Sequence, residues 1–267
     1  MLTYPNIDPV IFDIYGPLKL RWYSLGYMIG IFFGAYFTSQ ELKKQSKISV
    51  SIFDDLISYL TFGIIIGGRI FYVLFYGDGY YLHNPIKALY LWDGGMSFHG
   101  GLSGVIVGMF LLAKKYKISP ANVLDLGAIS STIGLFCVRI ANFINGELYG
   151  RQSNIWCSFI FPADELQVSR HPSQLYEAFG EGLLLFMILF ILYKKTNIYQ
   201  AKWALSSLFL IGYGSVRFCI EFTREPDKQI GFILQYFTMG QVFCTIMIAS
   251  GTLLCFYSYK NTVVKQK

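Results

Sequence analysis

The fold class that this sequence predicts is an α-helical polytopic membrane protein of about seven transmembrane helices, with a small external cap between spans four and five. Three observations point there. Of 267 residues, 54% are hydrophobic and only 14% are charged, against about 25% charged in an ordinary soluble domain. Apolar runs near the roughly 20 residues that a spanning helix needs recur along the chain. Lysines cluster after every second run, as they do in cytoplasmic loops.

The chain reads as a single membrane-embedded domain over 1–267. Its first 20 residues hold Pro5, Pro9, Pro17, Asp8, Asp13 and Gly16. They are too rich in proline for a span and are expected to form an arm along the outer interface. They also lack the charged-then-apolar start of a cleavable signal peptide. The expected spans are 22–39, 56–76, 96–113, 121–143, 175–193, 203–220 and 240–257. Arg69 and Arg139 interrupt the second and fourth. Lys43, Lys44 and Lys47 follow the first span, and Lys114, Lys115 and Lys117 the third. Lys194, Lys195 and Lys202 follow the fifth, and Lys260, Lys265 and Lys267 the seventh. The N-terminus is therefore expected outside and the C-terminus in the cytoplasm. The net charge of +6 is mostly this loop lysine, a topology signal and a contact for anionic lipid, not for nucleic acid.

The longer loops, 77–95, 145–174 and 221–239, fall on the outer side. The middle one mixes Trp156, Phe159, Ile160 and Phe161 with polar residues, which suits an external cap with short strands. Glycines at four-residue spacing, Gly26/Gly30/Gly34, Gly63/Gly67 and Gly100/Gly104/Gly108, allow close helix approach. The five cysteines give no disulfide framework: Cys137, Cys219, Cys244 and Cys255 lie in or beside spans, and Cys157 stands in an external loop. His83, His99 and His171 lack metal-ligand spacing.

Four polar clusters mark the outer ends of spans. The first holds Tyr23, and the second runs Asp93-Gly-Gly-Met-Ser-Phe-His99-Gly-Gly. The third, from Arg139 to Gly150, includes Asn142 and Glu147; the fourth runs from Tyr213 through Arg217 and Glu221 to Arg224 and Pro226. Tyr213, Arg217 and Glu221 share a helix face at i, i+4, i+8, as do Arg139 and Asn142 at i, i+3. Arg217 can pair with Glu221 or project towards an anion. An arginine inside hydrocarbon costs about 2.5–3.5 kcal/mol on insertion scales, so two of them call for partners. Guanidinium forks match phosphate oxygens bidentately. His99, among glycines, has room to act as a proton acceptor, although a lone histidine also serves structural roles. Ser173 is expected to cap the fifth span with Tyr176 and Glu177 in its first turn, and Asp54 and Asp55 to form a solvated face. A transporter would distribute ionisable residues through the membrane depth, whereas here they gather at one end.

The stretch Arg139-Ile-Ala-Asn-Phe-Ile-Asn-Gly-Glu-Leu-Tyr-Gly150 resembles the signature of the prolipoprotein diacylglyceryl transferases, Arg-x-Gly/Ala-Asn-Phe-apolar-Asn-x-Glu-x-x-Gly. Tyr4-Pro-Asn-Ile-Asp-Pro with Arg21-Trp-Tyr, Ser97-Phe-His-Gly-Gly, Arg170-His-Pro-Ser-Gln-Leu-Tyr-Glu and the run from Arg217 to Asp227 resemble the same family, in order along the chain. The family signature usually begins Gly-Arg, and here Val138 precedes Arg139. The resemblance implies transfer of the sn-1,2-diacylglyceryl group from phosphatidylglycerol to the lipobox cysteine of a preprolipoprotein. A thioether forms and glycerol phosphate leaves, in the first step of bacterial lipoprotein maturation. It implies no cofactor or metal, a site in the plasma (inner) membrane near its outer face, and lateral openings for two membrane-borne substrates. It makes His99, Arg139 and Arg217 the expected catalytic residues. Arg139 and Arg217 would hold the phosphate; His99 would take the thiol proton, or an arginine would lower the thiol pKa instead. Tyr23, Asn142, Glu147, Gly150, Tyr213 and Glu221 are the expected substrate-binding residues, with Gly150 permitting a turn that keeps Glu147 facing inward.

Overall fold

Long apolar runs and lipid-like composition leave the backbone one economical solution, helices that satisfy their own hydrogen bonds. The computed structural model describes residues 2–15, 18–46, 52–225, 232–233 and 237–266. It is mostly helical. The expected lysines 47, 265 and 267 fall wholly or in their side chains outside the described residues, as do Gly16, Pro17, Pro226 and Asp227.

The chain opens with a hairpin, β1 (Val10–Tyr15) and β2 (Leu18–Arg21). Helices α1 (Trp22–Ser46), α2 (Ile52–Phe75), the short α3 (Tyr80–His83), α4 (Phe98–Lys115) and α5 (Pro120–Ile144) follow. A two-residue ladder then pairs β3 (Phe159–Ile160) with β4 (Ser169–Arg170). Helix α6 (Ser173–Lys195), helix α7 (Ala204–Ile220), strands β5 (Phe232–Ile233) and β6 (Phe237–Thr238), and helix α8 (Met239–Gln266) complete it. Helices α2, α5, α6 and residues 239–262 of α8 are long and apolar enough to cross a membrane, and α7 is a shorter apolar helix. This is a polytopic membrane protein. The helices run past the expected spans at several ends, because α1 and α8 continue through polar turns beyond residues 39 and 257. The β1/β2 hairpin was not expected, since Val10-Ile-Phe-Asp-Ile-Tyr15 does not alternate polar with apolar residues.

Two compact units are resolved. One comprises Ala35–Leu126. Within it the glycine spacing does the packing: Gly63 and Gly67 of α2 lie against the backbone of Gly100 and Gly104 of α4, where a β-carbon would collide with main-chain atoms. Asp54 is exposed, as expected, while the partly exposed Asp55 also accepts from Tyr116 at 2.6 Å and pairs with Lys115. Arg69 is buried and donates to the carbonyls of Lys87, Ala88, Tyr90, Gly94 and Gly95 at 2.5–3.1 Å. One guanidinium thereby organises the 85–95 turns.

The other unit comprises Met1–Gly34 and Gly127–Lys267. In it Gly30 of α1 meets the Gly134 backbone of α5. The hydroxyl of Tyr4 donates to the carbonyls of Phe143 and Ile144 at 2.5 and 3.0 Å, closing the end of α5. Its ring packs with Phe143, Phe159 and Phe161. A small aromatic core thus ties the N-terminal segment to residues 159–161.

Candidate active site

The third and fourth polar clusters meet inside this second unit, around Glu177, a residue expected only to stand in the first turn of the fifth span. Glu177, wholly buried, forms an ion pair through Oε2 with Arg139 Nε at 3.0 Å. Its Oε1 receives Arg224 Nη1 at 2.8 Å and Arg217 Nη1. Arg217 also reaches Glu221 Oε2 through Nη2 at 2.8 Å, and Arg224 Nε stands 3.7 Å from the same oxygen. Glu181, also wholly buried, lies 4.0 Å from Arg139 Nη2 and 3.9 Å from Arg217 Nη1. Arg139, Arg217 and Arg224 keep 17%, 13% and 15% of their side-chain surfaces exposed, whereas Glu177 is fully enclosed.

Local sequence explains each placement. Arg217 and Glu221 are one turn apart, and Glu221 and Arg224 nearly so. Residues Ala178–Leu184 of α6 form a π-helical turn, a distortion frequent at functional sites. Gly182 in that turn approaches the backbone of Phe136, which brings α6 close to α5 and Glu181 towards Arg139. Glu221 is further fixed by the start of α8. Thr238 and Gln241 form a reciprocal capping box, with Thr238 N donating to Gln241 Oε1 at 3.1 Å and Gln241 N to Thr238 Oγ1 at 3.2 Å. The same Thr238 hydroxyl donates to Glu221 Oε1 at 2.9 Å.

The chain leaving α5 makes an elbow. Gly146 turns in the left-handed region at φ 68°. The Glu147 carboxylate then accepts from Asn142 Nδ2 at 2.7 Å and Asn145 Nδ2 at 3.2 Å. Gln174 Nε2 donates to the Glu147 carbonyl at 2.6 Å. Ser173 Oγ donates to the Leu148 carbonyl at 2.9 Å, so it stitches α6 to the elbow instead of capping it; Pro172 holds the cap position. The turn belongs to Gly146. Gly150 has a different task, a close approach in which its amide donates to His171 O at 2.8 Å and it bridges to Arg224. A β-carbon there would strike the Thr223 carbonyl and His171. Arg151 adds a bond from Nε to the Arg224 carbonyl at 2.6 Å. Gly150 therefore holds the strand that carries Arg224 into the cluster.

Behind the elbow, Arg170 clamps Asp164 through two bonds, 2.7 and 2.9 Å long, and stacks over Tyr149. The Arg170 guanidinium holds the Asp164 carboxyl below its usual range, helped by the Val168 and Leu166 amides. Burial pushes the His171 imidazole below its ordinary value.

Of the remaining expected site residues, Tyr23 hydrogen-bonds Tyr27 at 3.3 Å, and Tyr27 is within electrostatic reach of Arg139. Tyr213 stacks on Phe209 and lies in the field of Glu181, Arg139 and Arg217. The structure thus gathers Arg139, Tyr213, Arg217 and Glu221 around one centre, with Asn142, Glu147 and Gly150 on the adjoining elbow. His99 belongs to the Ala35–Leu126 unit, exposed in the first turn of α4 behind the N-cap Ser97. The residues overlooked were Glu177, Glu181 and the role of Arg224. Their signal was present: two carboxylates four residues apart in an otherwise apolar span are costly without cationic partners.

Two comparisons with known proteins bear on what the chain is. The family model for prolipoprotein diacylglyceryl transferase matches residues 9–257. A phosphatidylglycerol--prolipoprotein diacylglyceryl transferase from Ehrlichia canis is 49% identical over 262 residues, which cover 98% of this chain and 98% of that protein. Proteins of the same name from Rickettsia felis and Azospirillum brasilense are 48% and 46% identical, each across 95% of this chain and 97% and 95% of their own lengths.

Proposed function

The chain belongs to the prolipoprotein diacylglyceryl transferase family, and we propose that it transfers the sn-1,2-diacylglyceryl group of phosphatidylglycerol to the lipobox cysteine of preprolipoproteins. The thiol sulfur forms a bond to the glyceryl carbon, the carbon–oxygen bond to phosphate breaks, and glycerol phosphate departs with that electron pair. The observation that carries this reading is the convergence of Arg139 of α5, Arg217 of α7 and Arg224, just beyond α7, on Glu177 of α6. Three guanidinium groups prepaid in position suit a phosphodiester that gains charge as its bond to carbon breaks. Arg139 and Arg217 hold the phosphate oxygens. Asn142, Glu147, Tyr23, Tyr213 and Glu221 orient the head group or the arginines, and Gly150 sets the strand carrying Arg224. His99 takes the proton of the attacking thiol, since thiolate is the nucleophile.

The lysine pattern supports seven spans in one membrane domain with the N-terminus outside, the C-terminus in the cytoplasm and the arginine centre near the outer face. Residues 1–20 then form an arm along the outer interface, and 145–174 an external cap. The exposed Phe12, Ile14 and Tyr15 of β1 suit such an interface. The test uses purified protein in phosphatidylglycerol vesicles labelled in the head-group glycerol. A lipobox peptide should release labelled glycerol phosphate, and its Cys→Ser counterpart should release none. Absence of release with the cysteine peptide would overturn the reading.

A further inference from the structure

Charge at the centre is balanced before any substrate arrives. Arg139, Arg217 and Arg224 face Glu177, Glu181 and Glu221. A phosphodiester seated on the arginines adds one negative charge beside three carboxylates in a medium of low dielectric, where such an excess is expensive. The three carboxylates are not equally bound. Glu177 is held by three guanidinium groups. Glu221 is held by Arg217 at 2.8 Å and by the Thr238 hydroxyl at 2.9 Å. Glu181 has cation contacts only at 3.9 and 4.0 Å, and among the described residues neither of its buried oxygens accepts a hydrogen bond.

We propose that Glu181 is a positioning residue that takes up one proton from solvent as the lipid phosphodiester seats on Arg139 and Arg217. Protonating Glu181 sacrifices the least pairing and restores neutrality, so both arginines remain fully available to the phosphate. The charged and titratable groups around it are Glu177 on its own helix, Arg139 on α5, Tyr213 and Arg217 on α7, Glu221 and Arg224 just beyond α7, and Cys244 on α8. The arginines stay charged throughout. Glu177 and Glu181, four residues apart on α6, share a helix face and so reach the same centre.

The inference rests on the transferase reading, and the experiment separates the two. Initial rates are measured in vesicles of varied phosphatidylglycerol content, at saturating lipobox peptide, across pH. The lipid KM of the wild-type protein should rise on the alkaline arm by up to about tenfold per pH unit, the slope of one linked proton. Glu181→Gln should flatten that arm, and Glu181→Asp should restore it. A merely structural role would change KM or kcat without removing the slope. Binding of phosphatidylglycerol micelles to wild-type protein in weak buffer should also take up protons, and phosphatidylcholine micelles should not. No turnover at any pH would defeat the transferase reading itself. Turnover with a pH-independent lipid KM, a Glu181→Gln slope equal to wild type, or no proton uptake on lipid binding would overturn the role of Glu181.

Discussion

Glu177 is the residue on which the centre turns, because three arginines from distant parts of the chain share its one carboxylate. Removing one partner of a buried ion pair costs about 3–5 kcal/mol, since the charges left behind are uncompensated. Glu177→Gln is therefore expected to lower thermal stability by an amount of that order and to abolish most transfer activity; unchanged melting and turnover would show that the arginines are held by something else. Asp164 makes a second prediction outside the spans. Its carboxyl is held below the usual value by Arg170. A depressed carboxyl stabilises the fold above its unfolded pKa of about 3.9 and loses that contribution as pH falls through its lower folded value. Asp164→Asn should thus loosen residues 145–174 at neutral pH, read as faster proteolysis there. The wild type should reach the same state only in strong acid. Equal cleavage rates at pH 7 would contradict this account. Arg139 and Arg217 were legible in the sequence because a charge in an apolar run stands out. Glu177 was not, because its meaning depends on partners 38, 40 and 47 positions away, and a carboxylate near a helix start has a plausible capping role.

The glycine spacing explains how the helices come close enough to share side chains. In the α2–α4 pair, Gly104 faces the Gly63 carbonyl with no room for a β-carbon. Overpacking of a seam costs about 1–3 kcal/mol and sometimes more, so Gly104→Leu should reduce folded yield and lower the melting temperature, whereas Gly101→Ala on the same helix provides a comparison in which the nearest atom to a new β-carbon lies at 3.7 Å. A Gly104→Leu protein as stable as wild type would mean that the helices separate freely. Helix existence was readable from apolar length alone, since a buried run of about 20 residues has few alternatives to a helix. Local distortion was not. The π-helical turn at Ala178–Leu184 and the capping box at Thr238 arise from how one backbone meets another, and the hairpin at Val10–Arg21 forms without the alternation that marks a half-buried strand. The elbow shows the same division: a glycine-bearing turn was foreseen, but the left-handed residues are Gly146 and Leu148, and Gly150 serves close packing instead.

At the scale of the molecule, lysine placement predicts that both the arginine centre and the N-terminus face outward. Single cysteines placed near residue 2 and near residue 260, in a background with the five native cysteines removed, should react with a membrane-impermeant thiol reagent in intact cells only at the first position. Labelling at the second and not the first would invert the proposed topology. That background should remain active, because the reactive thiol in this chemistry belongs to the peptide substrate. The proposed topology links fold to reaction: it would set the arginines where a phospholipid head group lies. The most direct test of that claim is the intact mass of a lipobox peptide after incubation with phosphatidylglycerol vesicles and either wild-type or Arg139→Ala protein. The account predicts a thioether-linked diacylglyceryl addition with wild type and near-total loss of that product with Arg139→Ala at comparable folded protein. An unmodified peptide with wild type, or equal modification by both proteins, would contradict it.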